Sequence, residues 1–530
     1  MNAERLLMHY AKIADATEAT GRLRRFILDL AVRGKLVPQD SRDEPSSELL
    51  KLVAKQNLDH ADLPYGWRLA KIGSILEFQY GKGLKASERL DEGPVPVYGS
   101  NGIVGFTEEP LTVRPSIIVG RKGSAGALNL CDGPSWTTDV AYFVEAPSFF
   151  NLQFLLNALT ALDLDKLGKG VKPGLSRSEA YDQIIAIPPL AEQHRIVAKL
   201  DELMGLCDRL EAARGSREAV RDRLTAASLA RLQAPDPDTF QTDARFALNA
   251  LPALAARPDQ IKALRQTILN LAVRGKLVPQ DPKDEPASEL LKRIAAGKEE
   301  KKRKTGDARI KMEPDPVPDE LTMPLPCGWA VQSFENLFLF IDYRGNTPPK
   351  TDGGIPLITA KNIRMGYLNR EPREYISKAT FKLWMTRGFP EIGDLFFTTE
   401  APLANICLND IEEPFALAQR AICFQPYAKI DTKFLMFALM SDVMQLLIDK
   451  HATGMTAKGI KAANLKPLPI PIPPLAEQRR IVEKVEALMA LCDRLEANLV
   501  ATASLRRRLL EALLAEALAP AEDRELEAAE

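Results

Sequence analysis

Leu23 to Lys51 reads LRRFILDLAVRGKLVPQDSRDEPSSELLK, and Leu264 to Lys292 reads LRQTILNLAVRGKLVPQDPKDEPASELLK, identical at 23 of 29 positions. Self-similarity on this scale marks duplication of a whole folding unit. Each copy holds a short apolar helix ending at Arg33-Gly34 or Arg274-Gly275, where glycine suits a left-handed cap, with Pro38 or Pro279 just beyond. A second matched pair follows. Ile187 to Ala212 is IPPLAEQHRIVAKLDELMGLCDRLEA and Ile472 to Ala497 is IPPLAEQRRIVEKVEALMALCDRLEA, matching at 20 of 26. A shorter echo lies between them, LPYGW at Leu63–Trp67 and LPCGW at Leu325–Trp329. The offsets of 241, 262 and 285 describe a tandem duplication whose spacers grew unequally.

Between the matched pieces the copies diverge. Trp67 to Ile187 contains NGIVGF, IIVGRKGSAG and WTTDVAYFV, whereas Trp329 to Ile472 contains IPLITAKNIRMGYL, GDLFFTTEAPL and AICFQP. Both blocks run from short β-branched and aromatic strands, broken by Gly and Pro, to a helix at Phe154–Leu159 or Phe434–Leu439. One architecture under two different surfaces suits a pair of recognition modules with different targets, and equally two diverged structural domains.

After Pro188-Pro189, which cannot sit inside a helix, apolar residues recur at Ile196, Leu200, Leu203, Cys207 and Leu210; the second copy gives Ile481, Val485, Leu488, Cys492 and Leu495. The 4-3 spacing is a heptad seam. Such a stripe also suits a helix packed on its own domain, but two near-identical stripes in one chain favour two helices packed as an antiparallel coiled coil. The expected fold class is therefore α+β: two mixed α/β recognition domains separated by two long helices, in a pseudo-two-fold tandem duplication. The boundaries drawn are an N-terminal helical region 1–62, a first recognition domain 63–187, a central helix 188–234, a join with the second helical region and a basic linker 235–320, a second recognition domain 321–472, and a distal helix with an acidic tail 473–530. Lys292 to Lys311, with nine basic and three acidic residues, is expected to be a flexible or fraying helical linker.

The length of 530 residues exceeds what one hydrophobic core uses, and 45% hydrophobic with 27% charged residues is globular composition. Seventy Lys and Arg against 71 Asp and Glu leave a net charge of -1, so any nucleic acid must be met by local patches or with help from partners. Six cysteines without a CxxC pair and four histidines oppose a disulfide scaffold and a zinc site. No apolar stretch approaches a membrane span and no secretory signal is read, so a cytoplasmic chain is expected. The search for catalysis returns nothing. The Gly345–Thr351 segment resembles a phosphate-binding loop until Pro349 replaces a required glycine, no G-x-S-x-G or H-E-x-x-H occurs, and His9, His60, His194 and His451 are isolated. No catalytic residue and no metal ligand is assigned.

Duplicated IPPLAEQ-x-RIV-x-K helices, each preceded by a variable block opening on LP-x-GW, resemble the specificity subunit of Type I restriction–modification systems, and the AVRGKLVPQD motif resembles one subgroup of it. The resemblance covers Leu23 to about Leu518. It implies a chain without catalysis of its own, in which two target recognition domains each read one half of a split, asymmetric DNA sequence. The repeated helices would set the spacing and dock two methylation subunits and the restriction (translocase/nuclease) subunits. It also implies that no cofactor binds here: S-adenosylmethionine, ATP and Mg²⁺ belong to those partners. Duplex DNA is the expected ligand and no membrane is involved.

Candidate base contacts follow from major-groove chemistry, in which Asn pairs with adenine and Arg with guanine. They are Ser100, Asn101, Arg121 and Lys122 in the first block and Lys361, Asn362 and Arg364 in the second. Lys82, Lys85, Lys169, Lys172, Lys458 and Lys461 sit in glycine-containing loops that suit phosphates. Ordinary turn chemistry explains these residues as well, Asn101-Gly102 above all, since Asn-Gly is a hairpin turn signal. Trp136 and Trp384 are read as core or strand-face residues. Two rival functions remain: a stand-alone DNA-binding regulator, which predicts a basic surplus, and a non-DNA-binding assembly scaffold.

Overall fold

The computed structural model describes residues 16, 18–44, 51, 63–167, 174–233, 239–250, 254–308, 310–311, 321, 323–343, 347–454 and 458–518. Lys169, Lys172, His9, His60 and the last part of the acidic tail lie outside the described residues. The chain divides into two compact units, Met1–Glu218 with Thr502–Glu530, and Ala219–Ala501.

The first unit opens with helix α1 (Ala19–Val32). Strands β1 (Arg68–Lys71), β2 (Gln79–Tyr80), β3 (Val95–Gly99), β4 (Gly102–Thr107), β5 (Ser116–Gly120), β6 (Leu128–Cys131), β7 (Trp136–Thr137) and β8 (Ala141–Glu145) follow, then helices α2 (Leu152–Ala161) and α3 (Arg177–Tyr181), strand β9 (Ile184–Ile187) and the 44-residue helix α4 (Leu190–Gln233). The sheets are β2-β8-β5-β6, β4-β3-β7 and the antiparallel ribbon β1-β9. That ribbon pairs Arg68, next to the LPYGW motif, with Ile187, the first residue of the IPPL motif. The variable block is thus tied off at its two ends by one pair of strands. Pro188-Pro189 then closes the ribbon, and α4 begins immediately after.

The second unit repeats the plan. It has α5 (Phe240–Asn249), α6 (Pro258–Val273), α7 (Ala287–Thr305), β10 (Ala330–Ser333), β11 (Phe338–Asp342), β12 (Ile355–Ile358), β13 (Ile363–Arg364), β14 (Tyr367–Leu368), β15 (Tyr375–Ile376), β16 (Leu395–Thr398), β17 (Ile406–Leu408), β18 (Ala416–Leu417) and β19 (Ala421–Pro426). Helices α8 (Thr432–Met440), α9 (Asp442–Lys450) and α10 (Ala462–Leu465), strand β20 (Pro469–Ile472) and the 44-residue α11 (Leu475–Leu518) complete it. Its sheets β11-β19-β16-β17, β15-β12-β18 and β10-β20 match the first set strand for strand, down to the parallel pair β12-β18 against β3-β7. A separate hairpin, β13-β14, has no counterpart among the described residues of the first unit.

The near-identical stretches that open each copy have a physical reason for their identity. Helix α1 ends with Gly34 at φ 66°, where the Gly34 and Lys35 amides donate to the Ala31 and Leu30 carbonyls at 3.3 and 2.9 Å. Gly275, at φ 64°, and Lys276 repeat this on Ala272 and Leu271. This is a Schellman cap. A Cβ on Gly34 would also stand 2.5 Å from Pro64 Cγ and 3.0 Å from the Trp67 ring, and on Gly275 it would collide with Pro326. Glycine is required twice over, by the backbone angle and by the close approach of the LP-x-GW segment.

In both copies the first turns of the heptad seam are buried within the helix's own unit. Ile196 and Leu200 join a core with Trp67, Phe78 and Phe154, while Ile481, Val485 and Cys492 join one with Ile268, Phe334 and Phe434, and Leu488 and Leu495 pack half-buried against it. Each fully buried aliphatic side chain of this kind contributes about 1.5–3 kcal/mol. Cys207 is buried and Leu203 half-buried, but Leu210 is 39% exposed, so the expected seam stops short of it. Each long helix then changes unit. The end of α4 lies in the second unit, where Leu229 and Leu232 pack with Ala247 and Leu254. The end of α11 lies in the first, where Leu510 packs with Ala16 and Ala19. In chain order α4 begins in the first unit and ends in the second, and α11 begins in the second and ends in the first.

One expectation is corrected. The basic stretch is helical up to Thr305, as expected, but packed instead of flexible: α7 is a 19-residue helix with Leu290, Ile294 and Lys298 buried. Gly297 lets it lie against the Tyr427 carbonyl, which a Cβ would overlap, and the Lys298 ammonium donates to Asn336 Oδ1 at 2.8 Å over the Tyr427 ring. The charge count overlooks an apolar i, i+4 face at Leu290 and Ile294.

Candidate nucleic-acid interface

The three repeated motifs meet at one place in each unit. In the first, Glu192 of IPPLAEQ accepts from the Trp67 indole at 3.0 Å and from Gln39 Nε2 at 2.8 Å, and Arg195 forms a two-pronged pair with Asp43. In the second, Glu477 accepts from Trp329 at 3.1 Å and Gln280 at 2.8 Å, and Arg480 pairs with Asp284. The neighbouring glutamines complete the knot. Gln193 accepts from the Asn151 amide and donates to the Phe149 and Pro188 carbonyls; Gln478 accepts from the Asp431 amide and donates to Pro473. Asn151 and Asp431 in turn cap α2 and α8. Burial pushes the Glu192 and Glu477 carboxyls above the ordinary glutamate value, opposed by the bonds they accept. The repeated half of each copy is thus a mount, which holds the variable half on the long helix.

The variable block of each unit carries loops, its rim, that single backbone hydrogen bonds relate between the units. Thr138 donates to the Tyr98 carbonyl at 2.9 Å, as Ala418 does to Ile358 at 2.8 Å, so the Ser100-Asn101 loop corresponds to Ala360-Lys361. Gly126 donates to Gly120 at 2.8 Å, as Ala404 does to Thr398, so the turn carrying Arg121-Lys122 corresponds to Thr399-Glu400. Leu175 donates to Arg121 and Ile460 to Thr399, both at 2.9 Å, which places Ser176-Arg177 opposite Lys461-Ala462.

In the first unit these loops converge. The Ser100 carbonyl approaches Gly120 so closely that a Cβ there would overlap it, the Arg121 guanidinium donates to the Asp139 carbonyl at 2.8 Å, and the Lys82 amide donates to Thr137 at 2.8 Å. Asn101, Lys82 and Lys122 are exposed, and Ser100 and Arg121 half-exposed. The Lys82 ammonium lies 5.9 Å over Trp136, whose indole donates to the Lys82 carbonyl, so that tryptophan belongs to the rim and not to the core. Lys85 is exposed at the start of a turn. The sequence reading missed the centre of the cluster. An open cleft of about 670 Å³ is lined by Tyr80, Arg121, Lys122, Arg177 and Tyr181, with the Arg121 and Arg177 guanidinium carbons 5.1 and 5.0 Å from the Tyr80 ring centroid. Tyr80 and Arg177 are 97 positions apart, and no local pattern joins them; comparison of GLSR at 174–177 with GIKA at 459–462 was the available signal.

In the second unit the assigned residues fare differently. Asn362 is 2% exposed and accepts from the Thr359 amide and hydroxyl while donating to the Asn369 and Pro372 carbonyls. Its amide is fully used in building the turn, and base readout at Asn362 is withdrawn. Lys361 is exposed beside Glu374, 3.8 Å away, and Arg364 is half-buried in β13. Lys458 is held by Asp449 at 2.7 Å, whereas Lys461 is exposed at the start of α10. Glu400, at the position of Lys122, pairs with Arg420 at 2.6 Å. Trp384 is half-buried, stacked on Tyr343 and donating to the Leu417 carbonyl. Among the described residues no group of three or more His, Cys, Asp or Glu is placed to hold a metal ion, and no helix is long and apolar enough to cross a membrane.

Comparison with known proteins places these features in context. Residues 64–217 and 329–503 match the family model described as Type I restriction modification DNA specificity domain. The chain is 27% identical to the Type I restriction enzyme EcoAI specificity subunit of Escherichia coli, over 90% of each chain. It is also 27% identical to the EcoEI specificity subunit of Escherichia coli, over 94% of this chain and 93% of that one. Among solved structures, the HsdS subunit from Thermoanaerobacter tengcongensis aligns with 17% identity and a TM-score of 0.42, covering 86% of this chain and 97% of that one.

Proposed function

The chain belongs to the Type I restriction–modification DNA specificity family, and from that premise we propose how its two copies divide the work. It is the non-catalytic DNA-recognition component of a Type I restriction–modification enzyme. The first recognition domain, 63–187, reads one half of a split target and the second, 321–472, reads the other. The observation that carries this is the contrast between the two halves of each copy: the mounts share the Glu–Trp, Glu–Gln and Arg–Asp bonds, while the rims put Arg121-Lys122 where the other copy has Thr399-Glu400. Readers of unlike rim chemistry imply unlike half-sites, hence an asymmetric bipartite sequence.

Long helices that each begin in one unit and end in the other set the gap between half-sites. Ser100, Asn101, Arg121, Lys122, Lys361 and Arg364 face bases, and Lys82, Lys85 and Lys461 face phosphates. A net charge of -1 gives little non-specific affinity, so tight binding needs partners that close around the duplex. These are two methylation subunits and the restriction subunits, which hold the S-adenosylmethionine, ATP and Mg²⁺ of the complex and work with this chain in the cytoplasm.

The test is an exchange of Trp67–Ile187 for the block of a relative with a different target, followed by sequencing of methylated DNA. One half of the methylated motif changes and the other half and the gap stay. A change in both halves, or in neither, refutes the assignment.

A further inference from the structure

We propose that Arg121 and Arg177 are the specificity-determining pair of the first recognition domain, and that they read guanine in its half-site; the inference rests on the division of labour proposed above. Both guanidinium groups lie over one ring, that of Tyr80, which is 52% exposed. Arg177 also lies 5.7 Å from the Tyr181 ring and Arg121 5.9 Å from Tyr142. Their protein bonds are few: Arg121 donates to the Asp139 carbonyl and Arg177 makes a long 3.4 Å contact to the Phe78 carbonyl. Among the described residues neither pairs with a carboxylate. Two cations sharing an open cleft, positioned by aromatic faces and not neutralised by the protein, call for an acceptor from outside. Stacking holds a guanidinium plane while leaving its donor edge free.

Phosphate and the guanine O6/N7 edge both offer such acceptors. The internal duplication decides between them. A phosphate contact is needed whatever the sequence, so both copies would keep a cation at these positions. They do not. Arg121 becomes Thr399, Arg177 becomes Ala462 and Tyr181 becomes Lys466, although the backbone bonds that frame the positions are retained. The second copy has a smaller opening there, about 160 Å³, lined by Ala462, Lys466, Asp342 and Arg387, with Lys466 paired to Glu335 and Glu400 to Arg420. Positions that differ completely on an unchanged frame carry the part of recognition that differs, which is base readout. Neither the Arg-Lys-Gly turn nor the Gly-Leu-Ser-Arg segment shows this alone; the pairing exists only where the chain folds both onto Tyr80.

The test uses the full chain assembled with its methylation subunits on a library of randomised sites, the first half-site having been identified by block exchange. Arg121→Ala and Arg177→Ala each relax a position specified as a G·C pair in that half-site, with discrimination there falling about 5- to 150-fold and the second half-site unchanged. Retention of the second half-site and of the gap shows that the variant is folded. Arg121→Lys and Arg177→Lys, which keep the charge but lose the fork, relax the same positions. The proposal is overturned if the motif is kept while binding weakens alike on all sequences and the salt dependence falls by about one charge, the mark of a phosphate contact. It is overturned as well if the first half-site specifies no G·C pair. A wild-type complex that methylates no split motif at all would instead remove the premise.

Discussion

The knot around Glu192 admits a sharp test. The carboxylate is 1% exposed and each of its oxygens takes one donor, Gln39 Nε2 at 2.8 Å and the Trp67 indole at 3.0 Å. Glu192→Gln keeps the shape but replaces one acceptor with a second donor, so either Trp67 or Gln39 faces an N–H group. A buried donor left unmatched costs about 1–3 kcal/mol, and bonds to a charged acceptor exceed neutral ones. Removing the burial penalty that raises this carboxyl offsets part of the loss. The net expectation is about 2 kcal/mol, or roughly 4–8 °C for a unit of this size. Hydrogen exchange read on peptides covering 19–37 and 63–71 should show lost protection, with 264–278 and 325–333 unaffected. Glu477→Gln should reverse the pattern. A double-mutant cycle adds a control. With Trp67→Phe in place, the amide introduced by Glu192→Gln can accept from Gln39 while its own N–H groups meet no rival donor. The two changes together should therefore cost less than their sum by about 1 kcal/mol. Additivity, or unchanged protection in Glu192→Gln, would refute the claim that this bond set mounts the recognition domain.

Inserting four residues in the exposed stretch near Arg214 of α4, with a matching insertion in α11, lengthens each helix by about 6 Å and turns it by only about 40°. The methylated motif should keep both half-sequences with a gap about two base pairs longer at roughly 3.4 Å per pair, and an unchanged gap in an active complex would exclude the helices as the ruler. Lys82→Ala and Lys85→Ala should each lower the salt dependence of complex binding by about one charge with no change of motif, as measured by titration at several ionic strengths. Asp394 is buried, which raises its carboxyl to about 6 against bonds from the Glu391 amide and Gln425. Its folded value lies above the unfolded one, so the folded state binds the extra proton and stability falls as pH rises from about 4 to 6. Asp394→Asn should flatten that slope in denaturant titrations, and a steeper fall would show the sign to be wrong.

The duplicated plan was legible because mounts need identical residues: a glycine with no room for a Cβ, a tryptophan N–H, a buried carboxylate and a glutamine that ties the next helix leave little freedom. Helix ends at Gly34 and Gly275 were readable for the same reason. The seam was only half readable, because a period of apolar residues says that a face is buried and not which neighbour buries it; Ile196 and Leu200 serve their own unit. Asn362 misled because side chains that hydrogen-bond to bases are the ones that hydrogen-bond to turns. Arg177 was overlooked because its partner, Tyr80, is reached through the fold. Lys361 does stand opposite the Ser100-Asn101 loop, but the second copy's answer to Arg121 lies elsewhere, at Thr399.

The exchange of helix ends has a consequence for how such a chain is assembled. The socket around Ala16 and Ala19 is filled by Leu510 from the second repeat, and the socket around Ala247 and Leu254 by Leu229 and Leu232 from the first. A single repeat therefore owns one plug and one socket that its own plug does not fill. Two separate repeats could satisfy each other by trading plugs, which would yield a symmetric pair of readers and a palindromic target. Fusing them into one polypeptide makes that trade intramolecular. It removes the concentration dependence of the pairing and releases the two rims from having to be the same.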